Sequence, residues 1–260
     1  MLAQERQKLI LDTLTDNRII KTQDIAEQFG ISNLTARRDL DALSEQGYVH
    51  RIYGGAVLIP NSLPNTLTED KQRKNTPRKI VEGIGRMAAA MVEEGETIHL
   101  GNGTLTLEVA KNLVNIPNLT FITGSMMIAN FLISANCRTY ILGGLIDPYE
   151  QNIYSRSAMD MMEKFYPTKS FLGCDGVTVE HGVTAINLPG AELGSISVHS
   201  SAKTIIVAHS WKFGKDAMNK VCDLSELYAI VTDDGLDPEY REKMEETGVK
   251  LFYAVTDPKS

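Results

Sequence analysis

Thr22 to Ala56 reads T-Q-D-I-A-E-Q-F-G-I-S-N-L-T-A-R-R-D-L-D-A-L-S-E-Q-G-Y-V-H-R-I-Y-G-G-A, the pattern of two short helices followed by a β-wing. Ile25, Ala26 and Phe29 fall on one face of the first helix, which Thr22 is expected to cap and Gly30 to end. After a turn over Gly30 to Ser32, Ser32 serves as N-cap for a second helix running to about Gln46. On that helix Ala36, Leu40 and Leu43 recur at helical spacing and point inward. Leu34, Arg38, Asp41 and Glu45 then face outward, with Thr35 and Arg37 on the flanks. The helix carries its cations in the first two turns and its acids toward the end, a polarity that suits insertion of its N-terminal part into the major groove. Gly47 stops it, and Tyr48 to Arg51 and Ala56 to Ile59 read as strands around Tyr53-Gly54-Gly55. An earlier helix, about Ala3 to Thr15, brings Ile10, Leu11 and Leu14 to the same small core.

The run from Ile31 to Ala56 resembles the winged helix of the DeoR family of bacterial transcription regulators. The family's Ser, Thr, Arg-Arg-Asp-Leu and Leu match Ser32, Thr35, Arg37 to Leu40 and Leu43, and its wing residues match Gly47, Arg51 and Gly54-Gly55-Ala56. The resemblance continues, more loosely, to about Gly248. Candidate DNA contacts are Ser32, Asn33, Leu34, Thr35, Arg37 and Arg38 on the helix, with Arg51 and Tyr53 on the wing. An arginine either bridges guanine O6 and N7 or clamps phosphates, and Thr35 can touch a base or the backbone. Taken alone, Arg37 and Arg38 also fit a solvated helix face paired with Asp39 or Asp41. Residues 1 to 60 hold seven Lys+Arg against eight Asp+Glu, so affinity has to come from local placement and dimerisation. A homo-oligomer, dimer or tetramer, reading repeated half-sites on double-stranded DNA is therefore expected.

The 260 residues, 43% of them hydrophobic, allow one small domain plus one of about 180 residues. The net charge of −7 argues against indiscriminate nucleic-acid binding. No targeting signal or 18-residue apolar segment is seen, which predicts a cytoplasmic protein without a membrane partner. Cys137, Cys174 and Cys222 lack metal-ligand spacing, and His99 and His181 read as structural, so no metal or cofactor is expected. The expected domains are a winged helix-turn-helix over 1–59, a linker over 60–77 and an effector-sensing domain over 78–260. The linker is marked by three prolines and the basic run Lys71-Gln72-Arg73-Lys74, read as a solvated hinge.

From Arg78 onward helices alternate with short apolar strands, the pattern of a wound α/β domain. Strands are predicted at Thr97 to Leu100, Thr120 to Thr123, Thr139 to Leu142, Ser170 to Leu172, Thr204 to Ala208, Tyr228 to Thr232 and Leu251 to Tyr253. Ligands of such sheets sit outside the carboxyl ends of the strands. The loops there are Gly101-Asn102-Gly103-Thr104-Leu105-Thr106, Thr123-Gly124-Ser125, Leu142-Gly143-Gly144 and Gly173-Cys174-Asp175-Gly176. Asn102, Gly103, Thr104 and Thr106 lead into a helix N-terminus able to hold an anion, phosphate being the natural candidate. The loop lacks the G-K-[ST] ending of a nucleotide P-loop, and glycines there also serve tight turns.

The resemblance implies that this domain is similar in fold to ribose-5-phosphate isomerase and binds a phosphorylated sugar or related acidic metabolite through these loops. Thr123, Ser125, Gly143 and Gly144 are its further candidates. Asp175 matches the family's Asp-Gly and Lys212-Phe213-Gly214 its Lys-Phe-Gly, a carboxylate for hydroxyls and an ammonium for phosphate. Asp175 capping a turn and Lys212 lying in solvent are the alternative roles. The chain departs from the family at Gly101, Gly124, Gly190 and Gly194, where polar side chains are usual, and at His209-Ser210-Trp211. These departures predict an enlarged pocket with His209 and Trp211 as contacts, or else a pocket that no longer binds. The function expected is a sugar-responsive repressor. The alternatives are a sugar-phosphate isomerase with Asp175 as base, and a constitutive DNA-binding protein.

Overall fold

The computed structural model describes residues 2–17, 19–59, 76–147 and 150–254 and resolves the chain into two compact units, Met1–Thr76 and Pro77–Ser260. The linker expected over 60–77, including Lys71 to Lys74, lies outside the described residues except at Thr76 and Pro77.

The first unit contains α1 (Ala3–Asn17), β1 (Ile19–Lys21), α2 (Thr22–Phe29), α3 (Asn33–Glu45), β2 (Val49–Ile52) and β3 (Gly55–Leu58). Its antiparallel sheet has the order β1-β3-β2. Ile10, Leu14, Ile25, Ala36 and Leu40 are fully buried at its centre, as their helical spacing requires. The strand β1 was not legible, because three residues with Ile20 buried between two exposed neighbours carry too little pattern. Gly55 makes its pairing possible, since a Cβ there would stand 2.1 Å from the Ile20 carbonyl oxygen. The expected cap by Thr22 is replaced. Lys21 occupies the cap position without a side-chain bond, and the Thr22 amide donates to the Gly54 carbonyl of the wing turn at 2.8 Å. Tertiary pairing thus satisfies an amide that a cap would otherwise serve. Gly30 ends α2 in the left-handed region at φ 62°.

The second unit is built on a seven-stranded sheet. Its elements are α4 (Arg78–Ala89), β4 (Thr97–Leu100), α5 (Thr104–Leu113), β5 (Thr120–Thr123), α6 (Met126–Ser134), β6 (Arg138–Ile141), β7 (Ile146–Asp147), β8 (Asn152–Ile153) and α7 (Arg156–Met162). There follow β9 (Lys169–Leu172), β10 (Gly176–Thr178), β11 (Gly182–Ala185), α8 (Leu188–Ser200), β12 (Thr204–Val207), β13 (Asn219–Cys222), β14 (Ala229–Asp233), α9 (Pro238–Glu246) and β15 (Leu251–Ala254). The sheet has the order β15-β14-β12-β9-β4-β5-β6 and every pair in it is parallel. Its strands are those the apolar runs predict. Both faces are covered: Phe171, Ile205 and Val231 enter one core while Leu172, Ile206 and Ile230 enter the other. The β7–β8 hairpin and the antiparallel β10-β11-β13 sheet were not predicted. Their strands are two to four residues long and show no alternation of exposed and buried positions.

Two buried polar groups mark the units. Asp39 on α3 is 3% exposed and receives Arg6 Nε at 2.6 Å and Nη2 at 3.1 Å, with Gln7 Nε2 at 3.3 Å. His99 on β4 is 2% exposed, with Nδ1 3.0 Å from Ser170 Oγ, and burial lowers its pKa from 6.5 to about 4.

Asp39→Asn leaves the Arg6 charge buried without its counter-ion and is expected to destabilise the first unit by about 3–5 kcal/mol. Urea denaturation followed by circular dichroism checks this, with the fluorescence transition of Trp211, the single tryptophan and part of the second unit, unmoved. The folded pKa of His99 is depressed, so the stability associated with its neutral form is present above pH 6.5 and lost as pH falls toward 4. That loss amounts to about 3 kcal/mol. Comparison of melts at pH 7.5 and 5 is expected to show a flatter pH dependence for His99→Gln.

Candidate functional site

On α3, Ser32 Oγ accepts from the Thr35 amide at 3.2 Å and lies 2.9 Å from the Thr35 hydroxyl. This is the expected cap, and it sets the first turn of the helix. The two acids nearest the arginines are both engaged elsewhere. Asp39 is held by Arg6, whose guanidinium is raised further by that bond, and Asp41 Oδ1 pairs with Arg51 Nε at 3.0 Å. Arg51 Nη1 also donates to the Gly55 carbonyl at 3.2 Å, so this side chain fastens the wing to the outer face of α3. Arg37 and Arg38 are exposed and have no hydrogen-bond or ion-pair partner among the described residues. Asn33 is exposed beside them, Leu34 is 60% exposed, and Tyr53 stands fully exposed at the wing tip. Two exposed guanidiniums, a polar cap and an apolar side chain on one helix start are the kinds of group that contact phosphates, base edges and thymine methyls.

In the second unit the strand order reverses between β4 and β9. Beyond β4 the chain proceeds to β5 and β6, and beyond β9 to β12, β14 and β15 on the other side. The loops after β4 and β9 therefore part and leave a crevice at the carboxyl edge. Asn102 lies in the first of these loops. Its Nδ2 donates to the Glu150 carbonyl at 3.2 Å and carboxylate at 3.3 Å, and its Oδ1 accepts from Ser125 Oγ at 3.0 Å. Gly103 takes φ 136° and caps α5 without a side-chain bond, so the first-turn amides beside the exposed Thr104 are of the kind that can hold an anion.

Across the crevice, Asp175 Oδ2 accepts from the Ile186 amide at 2.8 Å and Oδ1 from Lys212 Nζ at 3.2 Å. Lys212 is 3% exposed, with its ammonium also 4.7 Å above the Trp211 ring, so the solvent-exposed alternative does not apply. Next to Ile186, Asn187 caps α8 by accepting from the Gly190 amide at 2.5 Å. The Tyr154 hydroxyl lies among the side chains of Asn102, Asn152 and Asn187. Burial, aided by the Glu150 charge, raises its pKa against the pull of the three amides. A continuous polar line thus runs from Glu150 through Asn102, Tyr154 and Asn187 to Asp175 and Lys212. Glu150, Asn152, Tyr154 and Asn187 were missed in the sequence; only the Asn187-Leu188-Pro189 helix start carried a signal.

Several candidates occupy other places. Thr106 and Thr123 are 0% exposed and satisfied internally: Thr106 donates to the Gly103 carbonyl at 2.9 Å and Thr123 to that of Leu100 at 2.8 Å. They hold the loops rather than face the crevice. Ser125 is likewise buried, behind Asn102. The Gly143 carbonyl accepts from Ser155 at 3.3 Å and Ser157 at 3.0 Å, and Gly144 leaves room for Ser155. His209 is 5% exposed, stacked on Trp211 at 5.6 Å and 13°, with Nδ1 3.7 Å from Asp233 Oδ1. Burial alone would raise the Asp233 carboxyl, but His209, Ser210 and Gly235 together bring it down to about 2. Trp211 lines a separate cavity of about 390 Å³ with Phe213, Leu236 and Tyr240 at the start of α9.

The predicted enlargement of the pocket is absent at the four glycines. A Cβ would meet Leu172 Cδ2 at 3.0 Å from Gly101, Asn187 Oδ1 at 2.5 Å from Gly190 and Val221 Cγ1 at 3.0 Å from Gly194. At Gly124 it would meet Asn152 Oδ1 at 3.2 Å. Neighbouring groups already fill the space that side chains would take.

A model of a DeoR-like helix-turn-helix domain matches residues 6–62, and one of a DeoR C terminal sensor domain matches residues 78–234. The chain is similar to the transcriptional repressor AccR of Agrobacterium fabrum, 31% identical with 89% of this chain and 90% of the relative covered. It is also similar to the HTH-type transcriptional repressor GlcR of Bacillus subtilis, 27% identical with 99% and 98% covered. Among solved structures, a D-ribose-5-phosphate isomerase in complex with phospho-erythronic acid matches at a TM-score of 0.41 and 14% identity, covering 53% of this chain and 55% of that one. Among the described residues no helix is long and apolar enough to cross a membrane.

Arg38→Ala is expected to weaken specific DNA binding by about tenfold. Fluorescence anisotropy with a labelled operator checks it, and unchanged affinity would remove α3 from the reading role.

Proposed function

The chain belongs to the DeoR family of DNA-binding transcriptional regulators, and we propose that it represses a carbohydrate-metabolism operon under the control of a phosphorylated sugar or related acidic metabolite. The observation that carries the DNA-reading part is the state of the arginines. Arg37 and Arg38, at the start of α3, are exposed and have no partner among the described residues, while the nearby Asp39 and Asp41 are taken by Arg6 and Arg51. Ser32, Asn33, Leu34, Thr35 and Tyr53 complete the contact surface, and Arg51 orients the wing.

The effector enters the crevice between the loops after β4 and β9. Its anionic group lies at the N-terminus of α5, over Gly103 and Thr104, where the helix amides and dipole favour negative charge. Asn102, Asp175 and Lys212 line the rest. Lys212 and Asp175 already neutralise one another, so an anion approaching Lys212 competes with the Asp175 carboxylate. The same pairing leaves Asp175 poorly placed as an isomerase base, since both its oxygens are engaged. The protein is a cytoplasmic homo-oligomer in this reading. Effector binding rearranges the sensor units and alters the spacing of paired winged helices, which changes affinity for paired half-sites.

Footprinting on DNA upstream of the protein's own and neighbouring genes, with and without a panel of sugar phosphates and acidic sugars, tests the proposal. Protection of paired half-sites that one class of ligand weakens is the expected result. Protection indifferent to every ligand would reject sugar control, and no specific protection would reject the repressor.

A further inference from the structure

Asn152, on β8, carries a buried acceptor without a hydrogen-bond partner among the described residues. The residue is 2% exposed, and the acceptor is its Oδ1. A buried acceptor left unpaired is costly, and native proteins tolerate one mainly where something else completes it. The backbone holds Asn152 firmly in place. It forms an isolated antiparallel bridge with Ser125, the Met126 amide donates to the Gln151 carbonyl at 2.9 Å, and the Ile153 amide donates to the Gly124 carbonyl at 3.0 Å. The strand β8 is thereby clamped to the loop after β5. The amide stands over Gly124, where an added Cβ would come within 3.2 Å of Oδ1 and 3.1 Å of the Ile153 carbonyl oxygen. Glycine at 124 is therefore the complement of asparagine at 152.

The surroundings decide what kind of group fits. The Tyr154 hydroxyl lies beside the side-chain amides of Asn102, Asn152 and Asn187, and burial raises its pKa above the usual phenol value. The cluster consists of three amides and a neutral phenol, with Glu150 as the acid beside Asn102. An unpaired carbonyl oxygen needs a donor, which an ionised phosphate or carboxylate does not offer and a sugar hydroxyl does. We propose that Asn102, Asn152, Tyr154 and Asn187 form a hydroxyl-reading subsite that receives the carbohydrate end of the effector, opposite in preference to the anion site at Gly103 and Thr104. The inference rests on the effector reading above and deepens it: the phosphate anchors, and the Asn152 corner selects. A ligand lacking the hydroxyl that Asn152 accepts leaves the acceptor buried and unpaired, so the subsite discriminates by penalty as well as by attraction.

The test uses the full-length protein, Asn152→Ser and Tyr154→Phe, the second variant removing one hydroxyl with its ring retained. Calorimetry is run with inorganic phosphate, D-ribose 5-phosphate, D-glucose 6-phosphate and D-fructose 1-phosphate, and with the 2-deoxy forms of the first two. The wild type is expected to bind at least one sugar phosphate more tightly than inorganic phosphate. Each variant is expected to lose about tenfold of that affinity while its affinity for inorganic phosphate stays unchanged. Preference for a bound sugar over its 2-deoxy form is expected to shrink in Asn152→Ser. Sugar phosphate binding that both variants retain would overturn the subsite and leave the effector reading standing. An equal loss for phosphate and sugar phosphate would overturn it too, as a general collapse of the crevice. A wild type that binds none of the probes would overturn both.

Discussion

The reversal of strand order between β4 and β9 is the constraint on which the sensor unit turns. In a parallel sheet every strand ends at the same edge, and only at the reversal do two neighbouring loops part rather than cover one another. The anion-ready start of α5, the Asn102 loop and Asp175 all owe their proximity to it. Leu100 and Phe171 lie side by side in register at that point, and the Gly101 amide donates to the Phe171 carbonyl at 2.9 Å. Gly101 packs closely there, and a Cβ at that position would stand 3.0 Å from Leu172 Cδ2 and require that side chain to give way.

In the first unit a comparable role falls to the Arg6–Asp39 pair. Buried ion pairs repay their desolvation only with good geometry, and here the guanidinium meets both carboxylate oxygens while Gln7 adds a third bond. The pair joins α1 to α3 and withdraws an acid from the neighbourhood of Arg37 and Arg38. Arg51 does the same for Asp41 at the wing. A helix with two arginines against three acids therefore presents net positive charge at its start, so the near-balanced charge of residues 1 to 60 is compatible with a reading role.

Legibility followed element length and amphipathic pattern. The helices of the first unit and the seven strands of the large sheet were readable because a helical stripe or an apolar run marks them directly. The hairpin β7–β8 and the small sheet β10-β11-β13 were not, since their strands are only two to four residues long and carry no alternation, and β13 joins β11 from nearly forty positions away. The crevice was partly legible for the same reason. Its loops follow readable strands, but Glu150, Asn152 and Tyr154 arrive from the hairpin that carries no pattern of its own. The glycines misled in one respect: absent side chains looked like added space, whereas close packing assigns that space to Leu172, Asn152, Asn187 and Val221.

Periodicity, caps and glycine placement along the chain were enough to specify a winged helix followed by a wound α/β unit, because these depend on residues within a few positions of one another. Which charges remain free on α3, which hydroxyls face the crevice and which merely brace it, and where an amide is left without a partner all depend on contacts between distant segments. Asp39 meets Arg6 across 33 positions, and Lys212 meets Asp175 across 37. Burial and hydrogen bonding act through space, so those assignments exist only once the chain has folded.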